Sequence, residues 1–331
     1  MKKILSCIIC AIIILLPCSG CAASAEPEDD RISIVTTAFP PYDFVRAVTG
    51  DNADISMLLC PGAEAHSYEP APLDILKIQE CDVFVYIGGE GEVWADKILN
   101  SLNTSEMTVI RLFDFVDPLY EEEVKGASPD GHEHHHHEGD EDDENEDEHD
   151  HDEESEEYDE HIWTSPRNAI KCVNGISEQL GKVFPQLAED FVQNSSEYVS
   201  QLSGLDDEFT EMAENAPSDL IVIGDRFPFR YLTADYNLEY LAAFSGCSSE
   251  SEPGVYTMAY LIREILEHDL DTIFYLEFST KKLAEKLCYA TGAKMLPLHS
   301  CHNVTPDEFE SGATYVDLMR QNLNNLREAL Y

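Results

Sequence analysis

The sequence predicts an α/β protein of two (β/α)-type lobes, each with a mainly parallel four-stranded sheet, joined by a long rigid helix. Three observations predict it. Two sets of four short apolar runs alternate with helical patterns, as βαβ units do. A stretch between the sets carries apolar side chains at helical spacing. The chain, at 331 residues, is long enough for two domains with separate cores.

In the first half the strand-like runs are ISIVTTA (32–38), DISMLL (54–59), VFVYIG (83–88) and TVIRLF (108–113), with helix-like segments at 40–49 and 73–80. The rhythm returns in LIVIGD (220–225), LEYLAAF (238–244), TIFYLEF (272–278) and AKMLPLH (293–299). Residues 166–181 read as one helix and 185–216 as a longer one, with Leu187, Phe191, Tyr198, Leu202, Leu205, Phe209 and Met212 on a single stripe. A helix of that length is a strut of roughly 45 Å at 1.5 Å per residue. The expected partition is therefore a lobe over 32–184, a linking helix over 185–216 and a second lobe over 217–331.

Before residue 32 the chain reads as an export signal. Lys2 and Lys3 precede an apolar run that is short for a membrane span, and Ser19-Gly20-Cys21 has the look of a bacterial lipobox. Residues 1–21 are the expected signal, Cys21 the expected lipidation site, with Cys18 a poorer alternative. The small and acidic residues 22–31 form the expected tether.

The formal net charge of -46 excludes a nucleic-acid binder, which needs clustered Lys and Arg, and suits cations instead. Six cysteines follow Cys21, none in a CxxC pair, so no cysteine-based zinc site is expected. Export permits disulfides. Cys247 and Cys301, each just past a predicted strand, are the expected pair, the alternative for each being a buried free thiol.

Of the 12 histidines, seven (His132, His134, His135, His136, His137, His149 and His151) lie in an acidic tract over residues 121–160, which also holds 22 Asp or Glu. Such a tract cannot bury a core, so disorder is expected; a solvated acidic loop would need no histidines, and their presence points to weak multivalent metal capture. Of the other five, His66, His161, His299 and His302 fall in or beside loops where an open parallel sheet binds ligands. Imidazole is the commonest protein ligand for zinc and needs an acceptor behind it to orient the ring; Glu64, Glu69 and Asp159 are the candidate acceptors.

The stretch PGAEAHSYEP (61–70), then HIW (161–163) ahead of PRN (166–168), then the long central helix, resembles the metal-binding receptors of bacterial zinc and manganese ABC importers, the cluster A-I or ZnuA-like proteins. The likeness covers nearly all of the mature chain. It implies one metal ion in a cleft between two lobes, held by one ligand from each of four loops, and a histidine-rich acidic loop ahead of the second ligand. Carried over by position, His66 and His161 match the first two ligands. The third position, five residues before Tyr231, holds Arg226, which cannot ligate, and Asp225 beside it is a substitute. The fourth, at the end of the last strand, holds His299.

The expected ligand set is therefore His66, His161 and His299, completed by Glu277, Asp225, His302 or water; Glu277 or Asp225 could instead pair with Arg226. Three imidazoles and one oxygen suit Zn2+ better than Mn2+. The implied function is a monomeric extracytoplasmic receptor, lipid-anchored to the cell membrane, that passes Zn2+ to an ABC permease and its ATPase and catalyses no reaction. Alternatives are a manganese or iron receptor, a surface adhesin, and a zinc hydrolase with Glu277 as general base, although no HExxH is present.

Overall fold

The computed structural model of the protein describes residues 31–122, 124, 157–246 and 253–331. The export signal with Cys21, the seven histidines of the tract, and Cys247 lie outside the described residues.

Two four-stranded parallel sheets share one topology. The first runs β2-β1-β3-β4, with β1 Ile32–Thr36, β2 Ala53–Met57, β3 Val83–Tyr86 and β4 Thr108–Arg111. The second runs β6-β5-β7-β8, with β5 Leu220–Phe227, β6 Glu239–Ser245, β7 Thr272–Tyr275 and β8 Lys294–Pro297. Strands covered on both faces need apolar side chains throughout, which is why β3 is buried at every position. A register shift in β5 between Ile223 and Arg226 re-aims the residues that follow.

Helices α1 Phe39–Thr49, α2 Pro72–Glu80 and α3 Val93–Ser101 cross between the first strands. Helices α4 Pro166–Val183 and α5 Ala188–Asn215 connect the two halves, and α6 Arg230–Tyr236, α7 Val255–Glu267, α8 Lys282–Thr291, α9 Pro306–Glu310 and α10 Tyr315–Leu330 complete the second. Helix α4 starts sharply because Pro166 follows Ser165, whose hydroxyl accepts from the amides of Arg167 and Asn168 at 3.1 and 3.2 Å. The long helix α5 has 28 residues, about 42 Å at 1.5 Å each, and begins just past Pro185.

The stripe on α5 does more than link. Phe191, Tyr198, Leu202, Leu205, Phe209 and Met212 are buried, and α5 packs on α1 from the first half and α10 from the second. One apolar cluster consequently runs from Ile34 and Phe44 through Leu202 and Phe209 to Ile223, Tyr315 and Leu323, where length alone had suggested separate cores. Asp43 pins the junction: its buried carboxylate accepts from the Tyr198 hydroxyl at 2.5 Å, the Tyr315 amide at 2.9 Å and the Arg46 guanidinium at 2.5 Å. These bonds join α1, α5 and α10.

Candidate metal centre

Three imidazoles meet at the carboxyl ends of the strands. Ligand-capable nitrogens of His66, His161 and His302 lie within 4.8 Å of one another, and no carboxylate of the described residues joins that group. Ring centroids are 5.6 Å apart for His66 and His161, 5.5 Å for His66 and His302, and 6.1 Å for His161 and His302.

Each ring is placed by its loop. His66 sits in the loop after β2, which is clasped by the chain following β8: the Asn303 amide donates to the carbonyls of Cys60 and Ala63 at 2.8 and 2.9 Å, and the Gly62 amide donates to Val304 at 2.7 Å. Gly62 adopts φ 85°, a left-handed turn that a side chain would strain. His161 precedes a short helical turn over Ile162–Thr164 and is fully buried. Its approach to the end of β6 depends on Gly246, where a Cβ would lie 3.1 Å from His161 Cε1. His302 packs its ring 4.6 Å from the Trp163 ring.

Asp159 is the acceptor behind His161: its Oδ1 takes the His161 amide at 2.8 Å and lies 3.2 Å from Nδ1. With the proton held on Nδ1, the lone pair of Nε2 faces inward, and Nε2 is a buried atom with no hydrogen-bond partner. Asp159 is itself fixed through its carbonyl, which accepts from the Tyr231 hydroxyl at 2.7 Å. Behind His66, Glu160 Oε1 lies 3.7 Å from Nδ1, a neighbour the sequence reading did not pick out because nothing in DEH marks it off from the adjoining acidic residues. Of the other expected acceptors, Glu64 faces Arg226 at 3.5 Å and Glu69 is exposed.

Burial, aided by the neighbouring His161 and Arg226, pushes the His66 pKa down to about 3, and burial with His66, His161 and Arg226 pushes His302 well below the usual imidazole range. Both rings are therefore neutral donors at physiological pH. For His161 burial works downward, but the Asp159 carboxylate together with the charges of Glu160 and Glu121 outweighs it and the pKa is raised.

The structure does not bring the expected third histidine into this group. His299 is not in the cluster; its Nδ1 accepts from the Cys301 amide at 2.8 Å, while its backbone amide and carbonyl are clasped by the Asn322 side chain, each at 2.7 Å. Cys301 then turns through φ 61°, and the reversal carries His302 into the cleft. Glu277, a candidate fourth ligand, spends its carboxylate on this same turn, accepting from the Ser300 amide at 2.7 Å and from the Ser300 hydroxyl. Asp225 accepts from the Arg226 amide at 2.9 Å. Asp225 and Glu277 line the cavity with Arg226 and the three histidines but stand outside the cluster. Cys301 is a buried free thiol, so the expected bridge to Cys247 is not part of the described structure.

Fold and cluster together define a class: a two-lobed α/β protein with a histidine-lined cleft suited to one divalent metal ion. Within that class the chain belongs to the ZnuA family, "Zinc-uptake complex component A periplasmic", whose model matches residues 34–329. It is 31% identical over 331 residues to the zinc-binding lipoprotein AdcA of Streptococcus pneumoniae, covering 99% of this chain but 61% of that protein. It is also 31% identical over 312 residues to the high-affinity zinc uptake system protein ZnuA of Bacillus subtilis, covering 94% of this chain and 92% of that one. The Zn(II)-bound ZnuA-like domain of S. pneumoniae AdcA superposes with a TM-score of 0.71 at 28% identity, covering 91% of this chain and 99% of that domain.

Proposed function

We propose that this chain is an extracytoplasmic receptor that captures Zn2+ in the cleft with His66, His161 and His302 and delivers it to an ABC permease and its ATPase, making and breaking coordination bonds without catalysing a reaction. The observation that carries this reading is the convergence of three imidazoles from three separate loops, two of them held neutral. Three nitrogen donors with room for one more ligand match the tetrahedral preference of zinc, whereas Mn2+ favours more oxygen. The zinc-binding and zinc-uptake relatives support the same choice of cargo.

Export and lipid anchoring at Cys21, weak zinc capture by the histidines of the acidic tract, and a monomeric state belong to this proposal; the AdcA relative, described as a lipoprotein, supports the anchor. Competition calorimetry on the mature chain tests the cargo. One tight Zn2+ site with weaker Mn2+ binding is expected. Tighter Mn2+ than Zn2+ binding would overturn the assignment.

A further inference from the structure

Resting on the zinc reading above, we propose that the metal's fourth coordination position is filled by a small oxyanion from solution, a carboxylate or bicarbonate, anchored by Arg226. The protein would bind Zn2+ and the anion together.

Four observations lead there. The cluster supplies three nitrogens and no described carboxylate, one short of what zinc takes in closed sites. The acidic groups around it are each engaged: Asp159 with His161, Glu160 with the Gly91 amide and beside His66, Glu277 with Ser300, Asp225 with the Arg226 amide, and Glu64 with the Arg226 guanidinium. Arg226 borders the same cavity as the three histidines. Its one described ionic partner, Glu64, is half-exposed and sits 3.5 Å away, which occupies little of a five-donor guanidinium.

The chemistry follows from these positions. Guanidinium presents parallel N–H donors that match a carboxylate-shaped anion in two-point contact. An oxyanion on those donors has a second oxygen for the metal, and it lies between a dication and a permanent cation. The cavity lined by Arg226 and the three histidines opens to solvent, so a small anion can reach both. A residue that cannot ligate thereby recruits a ligand that can.

The test measures Zn2+ affinity of the full mature chain by chelator competition, in carbon-dioxide-free perchlorate buffer alone, with sodium bicarbonate, and with sodium acetate. The tight phase is expected to strengthen about tenfold or more, roughly 1.4 kcal/mol, with bicarbonate or acetate. A response to bicarbonate alone assigns the carbonate source, and a response to acetate assigns organic carboxylates. In Arg226→Gln the enhancement should vanish, and in Arg226→Glu, which brings its own carboxylate, zinc affinity should no longer depend on added anion. Equal tight binding in all three buffers overturns the anion, and enhancement that persists in Arg226→Gln overturns the role of Arg226. Absence of any tight Zn2+ phase under all conditions would instead refute the zinc reading beneath it.

Discussion

The indole Nε1 of Trp163 donates to the carbonyl of Ser300 at 2.7 Å, tying the segment that carries His161 to the turn that carries His302. Both residues are buried, and the Trp163 carbonyl is held in turn by the Tyr315 hydroxyl at 2.6 Å. One hydrogen bond thus links the segment just before α4, which carries His161, to the turn after β8, which carries His302. Trp163→Phe keeps an aromatic ring but strands a buried carbonyl, which costs about 1–3 kcal/mol. Urea denaturation should show that loss, and zinc titration a weaker tight phase. Wild-type values in both measurements would mean the bond does not set the loops.

The choice between His302 and His299 is open to a direct comparison. Since even an acceptor behind a ligand is worth 10–100-fold in metal affinity, His302→Ala should weaken tight zinc binding on the order of a hundredfold or more. His299→Ala should leave that affinity nearly intact while lowering stability, because the Cys301 amide loses its acceptor. Asp159→Asn should fall between, at about ten- to a hundredfold. The reverse ranking of His299 and His302 would restore the arrangement expected from position along the chain.

Much of this molecule was legible in its sequence, and the part that was not has identifiable causes. Buried parallel strands announce themselves as apolar runs, so VFVY and LIVI were placed within a residue or two. The α5 stripe reads at helical spacing whatever it packs against; that α1 and α10 both pack on it, merging two expected cores, depends on tertiary contacts. His66 and His161 stand in distinctive loops. His299 and His302, by contrast, both follow β8, and what separates them is a clasp from Asn322, 23 residues further along, and a left-handed turn at a residue that is not glycine. Neither leaves a local signal.

Glu92 offers a pH-dependent measure of how the cleft's wall is built. Its buried carboxylate accepts from the amides of Ile87 and Gly88 at 2.7 and 2.8 Å, yet burial, with the charge of Glu160 adding to it, drives its pKa up to about 7 from 4.5. The folded state therefore holds this proton more tightly than the unfolded state. Below pH 4.5 both states are protonated and the contribution to stability is complete; between pH 4.5 and 7 it is lost, and above pH 7 the loss levels off at a few kcal/mol. Glu92→Gln keeps an acceptor oxygen without the titration. Relative to wild type, its unfolding free energy should rise across pH 4.5 to 7; a constant difference would show that Glu92 ionises normally.

The described residues that flank the acidic histidine tract pair with each other, which makes the tract's contribution separable. Tyr120 and Tyr158 stack with centroids 4.5 Å apart, the Glu121 amide donates to Glu157 and the Asp159 amide to Leu119, each at 2.9 Å. These bonds form a stem that runs directly into Asp159, Glu160 and His161. Removing residues 125–156 and bridging the gap with a short Gly-Ser linker preserves the stem. Zinc stoichiometry should then fall to a single tight site whose affinity matches the full chain within about twofold, as expected for independent parts. Extending the deletion through Tyr158 removes the stacked pair next to Asp159 and should weaken that site as well. Loss of tight binding in the shorter deletion would assign tight zinc binding to the tract itself.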